Sequence, residues 1–490
     1  MCLDLIIRHK FKQPINKNKI YIIIVLQCFY LHFIACLHGT FIITVVGSNK
    51  PETRKEPCKM NSKNCANNIT EFDGAGIIYP YVADKNWNSV YRIEAVLKRT
   101  PDPDAVRKAA AALREKYPYF FGTVVKVGSC LALAPSKKCE TVFRSTGVYC
   151  KPFDLQNGLP LIRFIYSSNK ISLEMFHCLT DGHGGVEFMK EFLREYAKFA
   201  GAADGAESTY TPDKCDLTNT TDTFSDIYDR VYMPNVKKTG RFMSDAHQFD
   251  KTEQTPLTVD TINIPFERLH TVSHRLGVTV AMLLAAIQIK AIFASESIVG
   301  RKVRLSVPVD IRRFFGSTSC RNSSLYILVE ADRHDAMDFK GLLEYVKYQF
   351  TDRISTEKLY AMARANVEQA RMKAFTSLPL PLKKGLLKFG YSHLGENQFT
   401  ATLTDIGPIN LDFPGCDIVK DIYFILGKQK TKPVNTAVTT FNGTLKLVVS
   451  HTTECHAFLD ALRRIIDAEI YGIKEQKSAG KKLHLLSAAD

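Results

Sequence analysis

Pro160-Leu161-Ile162-Arg163-Phe164-Ile165-Tyr166, Ile171-Ser172-Leu173-Glu174-Met175-Phe176 and the continuation His177-Cys178-Leu179-Thr180-Asp181-Gly182-His183-Gly184-Gly185 decide the reading of this chain. The first two runs read as strands joined at Ser167-Ser168-Asn169-Lys170, a hairpin signal. Period-two alternation puts Ile171, Leu173, Met175 and His177 on one face, so the imidazole extends an apolar row that faces the core. Downstream, Val186, Met189, Phe192, Leu193, Tyr196 and Phe199 recur at helical spacing, with Glu187, Lys190, Glu191 and Arg194 on the remaining positions. Asp181 and the glycines therefore occupy a strand-to-helix turn. Two readings of that turn stand side by side. One is a hydrogen-bonded core histidine followed by a helix-capping carboxylate. The other is an acid–base site, because histidine titrates near neutrality.

Working outward, strands and helices alternate on both sides. Residues 91–97 read as a strand, 104–116 as a helix, and Tyr117-Pro118-Tyr119-Phe120 as a turn. Residues 202–256 lose hydrophobic periodicity and gather Thr, Asp, Asn and Gly, which predicts a linker or crossover loop. Beyond it, 258–264 and 303–309 read as strands, 266–275 and 279–293 as helices, 444–450 as a strand and 457–470 as a helix. This mixture predicts an α/β (α+β) chain of open sheets covered by helices. At 490 residues, 45% hydrophobic and 23% charged, it is long enough for two core-forming units.

The formal net charge of +15 invites a nucleic-acid reading, but the lysines and arginines are dispersed and no nucleic-acid-binding pattern accompanies them. Nucleic acid is excluded as a partner, and a solvated surface accounts for the charge. Thirteen cysteines, an odd number, stand without metal-ligand spacing and predict free thiols in a reducing compartment. Alternation turns Cys178 away from His177, as a packed core thiol.

Residues 20–46 contain no Asp, Glu, Lys or Arg, long enough for a membrane-spanning helix, and Arg8, Lys10, Lys12, Lys17 and Lys19 precede them. Charge asymmetry would export everything that follows, at odds with free thiols. Two readings remain: an anchor of the opposite orientation, or an extension upstream of a true start at Met60. Residues 1–59 are therefore set aside from the fold argument.

The turn His177-x-x-x-Asp181-Gly182 resembles the His-x-x-x-Asp-Gly signature of the chloramphenicol acetyltransferase-like superfamily, which includes condensation domains, plant BAHD acyltransferases and alcohol O-acetyltransferases. Tyr91-Arg92-Ile93-Glu94-Ala95-Val96-Leu97 and the helix after it resemble that superfamily's opening strand and helix. Ser306-Val307-Pro308-Val309-Asp310-Ile311-Arg312 with Arg321-Asn322 resembles its "V-D-x-R … G-N" region, and Thr402-Leu403-Thr404-Asp405-Ile406-Gly407 its "S-N-x-G" strand. The continuation Asp181-Gly182-His183-Gly184-Gly185 is most like the alcohol O-acetyltransferase branch. Condensation domains carry two adjacent histidines where Phe176 precedes His177 here, and Asp412-Phe413-Pro414-Gly415 replaces the BAHD "D-F-G-W-G".

The resemblance covers residues 74–472. It implies two lobes, 74–201 and 257–472, facing a central tunnel, with 202–256 between them and a basic tail at 473–490. It implies His177 as general base, with Asp181 and Gly182 supporting the loop. An arginine would pair with Asp181: Arg312 by motif, or Arg163 by proximity in sequence. Thr404, matching the "S-N-x-G" serine, is implied as an oxyanion donor. By its own position His183 is the rival base, placed after the glycine where it faces outward at the helix start, and it ranks below His177 because a base has to reach the reacting hydroxyl. The substrates implied are an acyl-CoA, acetyl-CoA first among them, and an alcohol, with no bound cofactor and no metal. Lys383-Lys384 and Lys428-Gln429-Lys430-Thr431-Lys432 are the candidate contacts for the coenzyme A phosphates. The alternatives are a catalytically silent binding protein of the same fold, or a lipid or glycolipid acyltransferase at a membrane if 20–46 is an anchor. A cytoplasmic location follows otherwise.

Overall fold

The structure, a computed structural model, describes residues 69–84, 87, 89–203, 213–231, 233, 246–249, 255–336, 338–371, 377–391, 395–429 and 431–472. The hydrophobic segment 20–46, the extension around it and the tail 473–490 lie outside the described residues. Among the described residues no single helix is long and apolar enough to cross a membrane.

The strands are β1 (Val90–Leu97), β2 (Gly122–Val127), β3 (Cys130–Pro135), β4 (Val142–Arg144), β5 (Ile162–Tyr166), β6 (Lys170–Phe176), β7 (Thr258–Pro265), β8 (Val303–Asp310), β9 (Ser324–Ala331), β10 (Ala401–Pro408), β11 (Val419–Leu426), β12 (Val434–Phe441) and β13 (Thr444–His451). The principal helices are α1 (Pro103–Lys116), α2 (Gly182–Phe199), α3 (Phe266–Arg275), α4 (Val280–Ser295), α5 (Phe339–Arg353), α6 (Thr356–Ala370), α7 (Leu380–Gly390) and α8 (His456–Tyr471).

The first sheet has the order β11-β1-β6-β5-β4. Register places Phe164, Leu173, Ile93 and Phe424 side by side on one face, and all four are buried. Helices α1 and α2 cover that face. Helix α1 starts at Asp102, whose side chain accepts from the Asp104 N–H, and buries Val106, Ala109, Ala110 and Leu113 at helical spacing. Helix α2 lays Phe192 on Phe164, with ring centroids 4.3 Å apart. Truncating a ring buried to that extent costs about 3–5 kcal/mol.

The charged residues on the remaining side of α2, Glu187, Lys190, Glu191 and Arg194, are buried. Residues 213–214 return over the helix, so that Glu187 accepts from the Lys214 N–H while Glu191 takes Lys116 and Arg194. The sequence had no way to show which later segment would cover that side.

The second sheet has the order β7-β13-β12-β10-β8-β9, with β10 parallel to both β12 and β8. Helix α4 is apolar all round because it is enclosed by the sheet and by α5 and α8. Strand β11 comes from the second half of the chain yet pairs with β1, Phe424 opposite Ile93, and so fastens the halves together through backbone hydrogen bonds. Within the segment expected to be a linker, Thr223–Arg230 forms a helix capped by Asp222, and the Thr223 hydroxyl meets those of Ser317 and Ser323.

Candidate active site

Strand β6 ends at Phe176, and the His177 N–H is held by the Ser89 carbonyl at 2.7 Å. Asp181 is the N-cap of α2 and accepts from the Gly184 N–H at 3.1 Å. Gly184 has to be glycine: a Cβ there would run into the Thr180 side chain and the Cys320 carbonyl. The turn is therefore seated directly on residues 319–324 of the other half.

Asp181 does more than cap. The Arg312 guanidinium donates to its carboxylate at 3.0–3.1 Å, the Ser323 N–H at 2.8 Å and the Ser324 hydroxyl at 3.2 Å. Arg312 also reaches Asp310 at 3.0 Å and the carbonyls of Ser319 and Arg321. Both partners of the pair are buried. Burial by itself would raise the Asp181 carboxyl; Arg312, His183 and the N–H groups of Ser323 and Gly184 outweigh it and hold the group below its ordinary value. The structure thus brings Arg312 to Asp181, whereas Arg163 lies on β5 and pairs with Glu174.

The His177 ring is stacked on Tyr79, centroids 4.6 Å apart, and meets the edge of Tyr91. Its Nδ1 lies 3.0 Å from Asn322 Oδ1. Burial lowers its pKa from 6.5, opposed by the ring's hydrogen bond to its own backbone and by Asp181 and Asn322, so the ring is neutral at pH 7. Asn322 Nδ2 in turn donates to Asp73 at 3.1 Å. Sequence reasoning quoted Asn322 only as part of a motif and missed Asp73 and Tyr79 altogether; no spacing rule links residues 73, 177 and 322.

His177 lines a cavity of about 540 Å³ that reaches both halves of the chain. Thr404 on β10 lines it too, as do Ser306 and Ser324, while Trp87, Tyr326, Leu386 and Phe389 supply an apolar wall. Such a lining, mostly apolar with a few polar groups, suits an organic ligand. Helix α7, which carries Leu386, was not anticipated.

Three expectations are corrected. His183 does not face outward: its Nδ1 lies 3.6 Å from Asp310 Oδ2 and its side chain is 18% exposed. Lys383 is buried and donates to the Ser129 carbonyl, and Lys432 is buried and donates to Gln248, so neither is a free surface cation. Lys428 lines the cavity, and Lys430 lies outside the described residues. Cys178 is fully buried, and the eight described cysteines are free thiols.

No family model matches the sequence, and no curated protein is detectably similar to it. Solved structures do match. Polyketide synthase associated protein 5 from Mycobacterium tuberculosis superposes with a TM-score of 0.55 at 14% identity, over 82% of this chain and 97% of that one. F. graminearum TRI101, solved with coenzyme A and deoxynivalenol, gives 0.57 at 9% identity, over 81% and 97%. The starter condensation domain of rhizomide synthetase RzmA, solved as a mutant with C8-CoA and Leu-SNAC, gives 0.53 at 11%, over 84% and 96%. At such identities the likeness is one of fold.

Proposed function

We propose that this chain, which has the two-lobed fold of the chloramphenicol acetyltransferase-like superfamily, moves an acyl group from coenzyme A to an alcohol hydroxyl. The observation that carries the reading is a half-buried histidine, neutral at pH 7, at the wall of a cavity shared by both halves of the chain. That coenzyme A or an acyl-CoA occupies TRI101 and the RzmA domain supports the choice of donor. The name of TRI3, a trichothecene 15-O-acetyltransferase with the same fold, supports an oxygen acceptor.

In this mechanism His177 Nε2 takes the acceptor's hydroxyl proton as the oxygen attacks the thioester carbonyl. The Thr404 hydroxyl donates to the developing oxyanion. The C–S bond then breaks, and the thiolate leaves with the proton returned from the imidazolium. Asp181 and Arg312 stand behind the turn and keep the ring in place. Residues 74–201 and 257–472 are taken as the two lobes, and a cytoplasmic setting suits both free thiols and an acyl-CoA substrate.

The test is release of free coenzyme A thiol from acetyl-CoA in the presence of a panel of alcohols, with His177→Ala as control. Acceptor-dependent release that disappears in the variant supports the reading. Release that is equal in the variant, or absent with every acyl-CoA and alcohol tried, sinks it and leaves a binding protein of this fold.

A further inference from the structure

We infer that Asp73, acting through the side chain of Asn322, is a positioning residue that fixes which nitrogen of His177 carries the proton. The inference rests on the reading of His177 as the base only for its catalytic consequence; the protonation pattern stands by itself.

The argument starts at Asp73, which is completely buried. Its Oδ1 accepts from the N–H groups of Ala75 and Gly76, and its Oδ2 accepts from Asn322 Nδ2 at 3.1 Å and lies 3.5 Å from Arg321 Nε. All of these neighbours are donors. Burial pushes the carboxyl pKa upward, with Arg321 opposing it. The surroundings nevertheless suit only the carboxylate, because a proton on Oδ1 would face two N–H groups and one on Oδ2 a guanidinium.

The carboxylate then dictates the amide. Asn322 has one donor end and one acceptor end, and Asp73 claims the donor end. Its Oδ1 is thereby turned to His177 Nδ1, 3.0 Å away. A carbonyl oxygen can only accept, so the hydrogen sits on Nδ1 and Nε2 keeps its lone pair. The junction leaves no spare room: a Cβ at Gly76 would collide with Asn322 Nδ2 and Asp73 Oδ1 and press on the Cys178 carbonyl. Tyr79, three residues further on, stacks on the imidazole and fixes its plane. One short segment, 73–79, thus sets both the tautomer and the tilt of a ring a hundred residues away in sequence.

Asp73→Asn tests this with almost no change of shape. The new side-chain oxygen stays with the Ala75 and Gly76 N–H groups, so its NH₂ faces Asn322. Asn322 must then turn its own NH₂ toward His177, which favours the proton on Nε2 and disables the base.

Nitrogen-15 NMR of protein labelled in histidine, at a pH where the ring is neutral and with His177→Gln to assign the signal, should show Nδ1–H in the wild type and an Nε2–H population in Asp73→Asn. In the same variant kcat should fall about 10- to 100-fold, by analogy with the range typical of hydrogen bonds that orient a metal-ligating histidine, with both KM values unchanged. Adding Asn322→Leu to Asp73→Asn should cost little more than either change alone. A wild-type ring protonated at Nε2 overturns the inference, and so does an Asp73→Asn protein that keeps the wild-type tautomer and kcat. If Asp73→Asn does not fold, the wild-type spectrum still decides. If the spectra are as expected but no acyl transfer is found, the inference holds and the functional reading falls.

Discussion

Cutting the Asp181–Arg312 pair from either side should destabilise the protein unequally, and the structure says which side costs more. Breaking a buried ion pair by removing one partner typically costs about 3–5 kcal/mol, because the remaining charge is left without compensation. In Asp181→Ala the guanidinium still has Asp310 at 3.0 Å and the carbonyls of Ser319 and Arg321, so the loss belongs near 3 kcal/mol, at the low end of that range. In Arg312→Met the carboxylate keeps as hydrogen-bond donors only the neutral Gly184 N–H, Ser323 N–H and Ser324 hydroxyl, with the weaker influence of His183 beside them, and the loss belongs nearer 5 kcal/mol. The double variant should lose less than the sum, with a coupling of roughly 1–3 kcal/mol.

Urea unfolding followed by Trp87, the only tryptophan and a buried one, gives all four corners of the cycle. The coupling also has a pH signature. Asp181 is held below 3.8 in the folded state, so its stabilisation is fully present above the unfolded value and lost as the pH falls through the lower folded one. At pH 7 the coupling is therefore complete, and it should fade only below about pH 4, where an unfolded aspartate begins to protonate. Additive single effects at pH 7 would show that the pair contributes nothing beyond its separate contacts. Normal unfolding of Asp181→Ala together with lost activity would give Asp181 a chemical role, although it does not line the cavity.

His177→Ala should lower kcat by about 10²–10⁴-fold with the fold intact by circular dichroism. In the wild type, kcat/KM should rise with pH to a plateau whose acid limb lies below 6.5, because burial lowers the pKa of the base; a limb at or above 6.5 contradicts that environment. Thr404→Val should reduce kcat by about 10²–10³-fold if its hydroxyl serves the oxyanion, and unchanged turnover removes it from that role. Activity should survive exhaustive EDTA treatment, since attack by an alcohol on a thioester needs a base and an oxyanion site; loss that zinc or magnesium restores would overturn the mechanism.

The elements of this fold are written locally. Period-two alternation over Ile171, Leu173 and Met175, and the 3.6-residue recurrence from Val186 to Phe199, each require one face of a short segment to be buried, and neighbouring residues alone produce that pattern. The strand-to-helix turn was legible for the same reason, because Asp181 caps the helix that begins at Gly182. The sequence by itself therefore determined the elements that flank the histidine, the mixed class and the position of the histidine, but not helix α7 or the helix at Thr223–Arg230. It did not determine which distant segments would meet. The pairing of β11 with β1, the burial of the charged side of α2 beneath residues 213–214, the approach of His183 to Asp310 and the contact of Asp73 with Asn322 all join residues far apart along the chain. Hydrogen bonds and ion pairs of that kind leave no period in the sequence, since each depends on one donor meeting one acceptor within about 3 Å, and only the packed tertiary structure sets that distance.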